Sequence, residues 1–303
     1  MLTEDQISTK IRDKEINGRF YKFYSYKADE IDPLDGRDMH LYNIDSISVG
    51  GKGELLTLGF LEKFTDIRGL RLNSHSYTST ETLQMLNQLE YFQILDRCDA
   101  TIPFDRFLKL HSAEINYSHN SCRLLFDNPT IKFLKLHNYK NKSPDDIIKI
   151  KSLEQLCLEQ CSVENLDFIE QLTQLKGLRI SYNRNLKSIQ GISNSKNLKK
   201  VEIAYCKKIE DWSCLSQADQ LNAIIIEDCG EIDSLRFIES LPNLKVLRII
   251  GNTKIMDGSL KSIIDKDSIE YAGIVLHKHY DISQEDLLKF NFVSMTTVMK
   301  KID

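Results

Sequence analysis

Apolar residues recur along this chain in short clusters of one spacing. In the segments LEQLCLEQC from Leu153, LKGLRISYN from Leu175, LKKVEIAYC from Leu198, LNAIIIEDC from Leu221 and LKVLRIIGN from Leu244, the first, fourth and sixth residues are apolar and the ninth is Asn or Cys. Their starts lie 22, 23, 23 and 23 residues apart. Looser copies begin at Ile44, Ile67, Leu89, Leu110, Ile131 and Ile269, which makes eleven units with a mean period of 22.5 residues. Alternation around the fourth and sixth residues predicts one strand per unit, with those side chains inward and the residues between them toward solvent. A single unit cannot bury its stripe alone, so neighbouring units must stack and their strands must form a parallel sheet.

The chain between strands predicts a different local structure. Stretches such as NLDFIEQLTQ (165–174) and SLRFIESLPN (234–243) place apolar residues at short-helix spacing. Longer helices are expected after Ser143-Pro144-Asp145-Asp146, which supplies a cap, a proline and first-turn carboxylates, and over Gly258 to Lys266. Stacked units expose their core at both ends, so residues 1–43 are expected to cap the first and 281–303 the second, with the repeats over 44–280 and one domain overall. The aromatic run from Phe20 to Tyr26 suits either a covering strand or a degenerate twelfth unit. Ser283 to Asp286 should open an amphipathic helix carrying Leu287, Leu288 and Phe290.

The nine-residue pattern resembles the leucine-rich-repeat family at the positions that define it, and its period resembles the bacterial internalin-like class. The resemblance covers about four-fifths of the chain. It implies an α/β fold, a right-handed leucine-rich-repeat solenoid with a parallel β-sheet on the concave face and short helices or turns on the convex face. It also implies a bacterial origin. The ninth residue should face the interior of each turn, where Asn183 and Asn252 bond backbone groups and Cys161, Cys206 and Cys229 fill small spaces. The looser units carry Lys52, His75, Arg97, Ser118, Tyr139 and His277 there instead.

Composition narrows the function classes. Forty Lys and Arg against 44 Asp and Glu give a net charge of −4, so no global basic field points to nucleic acid. The first fifteen residues, MLTEDQISTKIRDKE, lack the apolar region of a secretory signal, and no apolar stretch approaches the roughly 18 residues that span a bilayer. Seven cysteines in such a chain suit free thiols in a reducing compartment. A cytoplasmic protein without membrane contact is expected.

Candidate chemistry is sparse. Cys157 and Cys161 flank Glu159, yet in the repeat register one lies on the open face of a strand and the other inside a turn, so their side chains diverge. His277-Lys278-His279 reads as a solvated loop. Gly50, Gly51 and Gly53 around Lys52 lack the spacing of a phosphate loop, and no carboxylate pair forms a recognised acid–base motif. Some bacterial leucine-rich-repeat effectors append a catalytic ligase domain, for which the residues after the last unit leave no room. Neither enzyme activity nor a cofactor or metal is expected.

The solvent-facing strand positions remain. Across the eleven units they carry ten basic and ten acidic side chains, interspersed, where a nucleic-acid track needs a uniform positive stripe. Aromatic anchors sit among them: Tyr91, Tyr117, Phe133, Tyr182, Tyr205 and Tyr271. A protein partner is therefore expected on the concave face, contacting Arg71, Tyr91, Glu114, Phe133, Lys135, Arg179, Tyr182, Glu202, Tyr205, Glu227, Asp228 and Arg248, with the free protein a monomer. One concrete form of this role is a bacterial immunity protein that neutralises a toxin by tight binding. The contrasting class is a ligand sensor or enzyme with a concave-face pocket, for which the sequence shows no motif.

Overall fold

The computed structural model describes residues 7–27, 34, 36–50, 57–73, 77, 79–96, 98, 100–141 and 144–290. The chain divides into two compact units, Met1–His137 and Asn138–Asp303.

The first unit holds strands β1 (Ile11–Ile16), β2 (Arg19–Lys27), β3 (Ser46–Gly50), β4 (Gly69–Asn73), β5 (Tyr91–Ile94), β6 (Ser112–Asn116) and β7 (Phe133–His137), side by side in chain order. Only β1 runs antiparallel, to β2, across a turn in which Asn17 and Gly18 both have positive φ. That Asn-Gly pair is the usual chemistry of a tight hairpin turn. The aromatic run is thus a covering strand, and β2 continues in parallel register onto β3, with Tyr24 opposite Ile47.

The second unit repeats the pattern in β8 (Gln155–Glu159), β9 (Gly177–Ser181), β10 (Lys200–Ala204), β11 (Ala223–Glu227), β13 (Val246–Ile250) and β15 (Tyr271–Ile274), all parallel. The two-residue strands β12 (Glu231–Ile232) and β14 (Lys254–Ile255) pair separately. The helix Gln284–Leu288 ends the described chain. Ser283 and Asp286 form the reciprocal cap expected of them, and Leu287 and Phe290 are buried.

Burial follows the predicted register. In all eleven units the first, fourth and sixth residues are buried, with Ile274 half-buried as the sole departure. Stacked, these stripes form one row of aliphatic contacts per position, which is why no single unit is stable alone.

The return segments are shorter helices than the sequence suggests. Most are single 3₁₀ turns, such as Asp167–Gln171 and Arg236–Ser240, each closed by bonds like Ile169 N–H to Leu166 O at 3.1 Å. The segment after Pro144 makes only Ile147–Lys149, and the Gly258 segment only the four-residue helix Lys261–Ile264. A 22-residue turn leaves little chain for the way back, and 3₁₀ geometry advances about 2.0 Å per residue against 1.5 Å for an α-helix.

Four of the five Asn and Cys ninth residues face inward as expected. Asn183 is fully buried and donates to Val163 O at 2.9 Å, while the thiols of Cys161, Cys206 and Cys229 donate to backbone carbonyls. Asn252 does not face inward. It is exposed and donates to Asp228 Oδ1 at 2.7 Å, and Thr253 takes the buried place, accepting from Cys229 N–H at 3.0 Å. The flanking strands keep their register of 23 residues, so the exchange is confined to this turn. All seven cysteines are free, and burial pushes the thiols of Cys161 and Cys206 up to about 12 and those of Cys122, Cys214 and Cys229 to about 11. Cys157 alone is half-exposed, on the open face.

Candidate functional site

Each unit presents an open sheet face opposite its 3₁₀ turns, and the register lines equivalent positions into rows. In the first unit the third positions form the row Ser46, Gly69, Tyr91, Ser112 and Phe133, which Phe23 of β2 extends. Period-two alternation puts Tyr21 on the same side as Phe23. The two rings pack with Tyr91 at centroid distances of 5.9 to 6.1 Å, and Ile16 joins them. Gly69 is what makes room: a Cβ there would lie 3.1 Å from the Phe23 ring and 2.6 Å from Ser46 Oγ.

The hairpin tip is fixed by polar contacts as well. Asn17 Nδ2 donates to Ser112 Oγ at 2.8 Å, Arg19 pairs with Glu90 at 2.8 Å, and Tyr21 hydroxyl bonds His111 Nε2 at 3.2 Å. Burial, with Arg19 nearby, lowers the His111 imidazole to about 4. The hairpin therefore crosses the second and third positions of this face.

Two of the expected contact residues are withdrawn by it. Tyr91 is only 2% exposed, sealed under Tyr21 and Phe23. Arg71 lies over the Phe23 ring at 4.7 Å and the Tyr91 ring at 5.4 Å, a cation–π stack inside the protein. Phe133 is half-buried and meets the His111 ring edge-on. Glu114 accepts from Gln93, His137 and Lys135 at 2.7 to 3.0 Å; burial alone would raise its carboxyl, but the bonds from His137 and Lys135 prevail and hold it at about 2.

Charges on the sheet faces largely pair with their neighbours one turn away. Arg68 bridges Asp45 and Glu90, Lys176 meets Glu154 at 2.7 Å, Lys245 meets Glu270 at 3.1 Å and Arg179 meets Glu202 at 3.2 Å. The balance of acids and bases seen in the sequence is in good part this cross-strand ladder.

In the second unit the fifth-position row runs Cys157, Arg179, Glu202, Ile225, Arg248 and Gly273. Beside it lie Ser181, Ala204 and Ala223, small residues that leave a shallow floor, and Gly177, over which the Gln155 side chain lies. Arg179 stands up from that floor with its side chain 55% exposed.

At the end of the strands a feature appears that the sequence did not announce. The eighth residues of six consecutive units, Asn138, Gln160, Tyr182, Tyr205, Asp228 and Gly251, all have positive φ, between +49° and +68°. Glycine and asparagine adopt that region readily, whereas bulky side chains do so only where the surroundings impose it. Here each eighth N–H of Asn138, Gln160, Tyr182, Tyr205 and Asp228 bonds a carbonyl of the next turn, as Tyr182 N–H does to Ala204 O at 3.0 Å. Asn138 and Gly251 were the signal in the sequence. The conformation aligns the Tyr182 and Tyr205 rings face to face, 4.3 Å apart and 5° from parallel. Tyr205 donates to Glu227 Oε1 at 3.3 Å, and the Glu227 charge raises its hydroxyl to about 12. Asp228 is held by Asn252. The expected contact residues of this unit thus fall into a sheet row and an adjoining edge.

His279 Nε2 lies 2.9 Å from Ile255 O and His277 packs on Tyr280. No group of three or more metal-ligating side chains occurs among the described residues. Gly51, Lys52 and Gly53 lie outside the described residues. No described helix is long and apolar enough to cross a membrane.

No family model and no curated protein matches the sequence. Solved structures do. The chain is similar to the internalin InlF of Listeria monocytogenes, with a TM-score of 0.61 and 18% identity over 87% of this chain and 75% of that one. It is also similar to a leucine-rich-repeat protein of Leptospira interrogans, with a TM-score of 0.54 and 17% identity over 84% and 77% of the two chains. TLR13 in its ssRNA13 complex matches with a TM-score of 0.54 and 15% identity over 76% of this chain, which spans only 40% of that one. Identities this low speak for the fold alone.

Proposed function

Starting from a leucine-rich-repeat solenoid fold, we propose that this chain is a non-catalytic, cytoplasmic protein-binding module whose partner docks on the open face of the Asn138–Asp303 unit. The observation that carries this reading is the stacked pair of exposed Tyr182 and half-buried Tyr205, held in a left-handed backbone at the border of a shallow floor from which Arg179 projects. Backbone strain of this kind costs on the order of 1–3 kcal/mol per residue and tends to concentrate where function needs a fixed side chain. Rigid aromatic rings and arginine are the side chains that most often anchor a protein interface. Seven free thiols suit a reducing compartment.

Affinity capture from native lysate with this chain as bait tests the proposal. A stoichiometric protein lost by the Arg179→Ala/Tyr182→Ala/Tyr205→Ala variant supports it. Capture undiminished in that variant moves the interface elsewhere, and the absence of any captured protein favours a small ligand.

A further inference from the structure

The same edge of the second unit encloses a cleft of about 810 Å³. Its walls come from the repeat register. The eighth residues Asn138, Gln160, Tyr182 and Tyr205 of four consecutive turns contribute one side. The tenth residues of those turns, Lys140, Ser162, Arg184 and Lys207, contribute the other, with Lys208 beside them. The buried ninth residue between them, such as Asn183 or Cys206, fixes the two flanks apart. Three of four tenth positions are therefore cationic, and none of the residues lining the cleft is acidic. In the following turn the pattern stops, with Asp228 at the eighth position and Gly230 at the tenth.

This local excess of positive charge stands out in a chain of net charge −4. On the sheet faces Arg68, Lys176, Arg179 and Lys245 meet acids one turn away, whereas Arg184, Lys207 and Lys208 are exposed at the cleft, with Asp228 near Lys207. We propose that this cleft binds an extended, acidic peptide segment, laid across the turns so that its Asp or Glu side chains meet Lys140, Arg184 and Lys207 while its backbone passes the tyrosine pair. The proposal rests on the protein-binding reading and names the chemistry of the segment recognised.

Dimensions agree. Four turns at about 4.8 Å per strand span roughly 14 Å, which four or five residues cover at about 3.3 Å each. Alternate residues of an extended segment point the same way, so acids at every second position face the cations together. A peptide also brings N–H donors for the oxygens of Gln160 and Asn138. A nucleic-acid strand places one acceptor-only phosphate at every nucleotide, and its backbone has no N–H to offer those oxygens.

The test is fluorescence anisotropy with three labelled probes: a peptide alternating Glu with Gly, its Gln-for-Glu counterpart, and an oligothymidylate of equal charge. The wild-type protein should bind the Glu peptide, less tightly as salt rises, and bind the Gln peptide at least ~tenfold more weakly. Arg184→Glu with Lys207→Glu, and the milder Arg184→Gln with Lys207→Gln, should each weaken the Glu peptide, the reversal by ~tenfold or more, with an unchanged thermal transition. Arg236→Ala, exposed on the return segment Arg236–Ser240, should leave peptide affinity unchanged. No binding of the Glu peptide, equal binding of both peptides, or an equal loss in Arg236→Ala overturns the proposal. Preference for the oligothymidylate overturns it in favour of single-stranded nucleic acid. If the captured partner depends on Arg179 while the peptide fails to bind, the sheet-face interface stands and the cleft falls.

Discussion

The two units run the same nine-residue register and finish with opposite surfaces. In the first, the third-position row carries Tyr91 and Phe133, and Tyr21 and Phe23 from the hairpin cover it. In the second, the same row carries Gln155, Gly177, Lys200, Ala223 and Val246 before Tyr271 in the last strand, and the stacked rings stand at the eighth position on the sheet edge. An aromatic residue at a solvent-facing strand position is therefore ambiguous. It is an internal seal in the first unit and lies open in the second, and what decides is whether another part of the chain has complementary rings and the length to reach it.

This contrast has measurable consequences. Tyr91→Ala should destabilise the protein by about 3–5 kcal/mol in chemical denaturation, although it occupies an outward strand position, whereas Lys200→Ala at the equivalent place should cost less than about 0.5 kcal/mol. Equal shifts would mean the hairpin does not seal the first unit. Within the second unit, Leu178→Ala should cost about 2–5 kcal/mol.

Acid should act mainly on the first unit. The His111 imidazole protonates near 6.5 in the unfolded chain and near 4 in the folded one, so stability should fall as pH drops through that window and level off below it. Glu114, held at about 2 against 4.5, adds a second loss between those values. Denaturation midpoints measured from pH 7 to pH 2 should show both, and His111→Gln should flatten the first.

Smaller effects separate the two faces further. Gly69→Ala forces a shift of buried Ser46 and the Phe23 ring and should cost about 1–3 kcal/mol, whereas Gly177→Ala meets only the flexible end of Gln155 and should cost less. Arg179→Ala should change the thermal midpoint least, since an exposed ion pair such as that with Glu202 contributes at most about 1 kcal/mol. A large loss there would mean that the open face is structural.

What the sequence disclosed follows from what is local. Apolar spacing placed Leu178, Ile203 and their equivalents correctly, and the Ser283–Asp286 cap was written in adjacent residues. The Asn17-Gly18 turn was equally legible, but its destination was not, because Tyr21 meets His111 across ninety residues of chain. Asn252 was misplaced although the register of the flanking strands holds: the Asp228 carboxylate draws its amide outward, and Thr253 takes the bond to Cys229 N–H. The left-handed eighth positions escaped because four of the six carry side chains other than Asn or Gly, imposed by the bond to the next turn rather than by their own preference.

The distribution of sulfur makes the molecule its own reporter. Six thiols are buried, five of them with ionisation pushed to about 11 or 12, so alkylating reagents should pass them by in the native state. Cys157 is the half-exposed one, in the same row as Arg179 and Glu202. A fluorophore placed there without any engineering would sit on the sheet floor itself and dim or brighten when that floor is occupied.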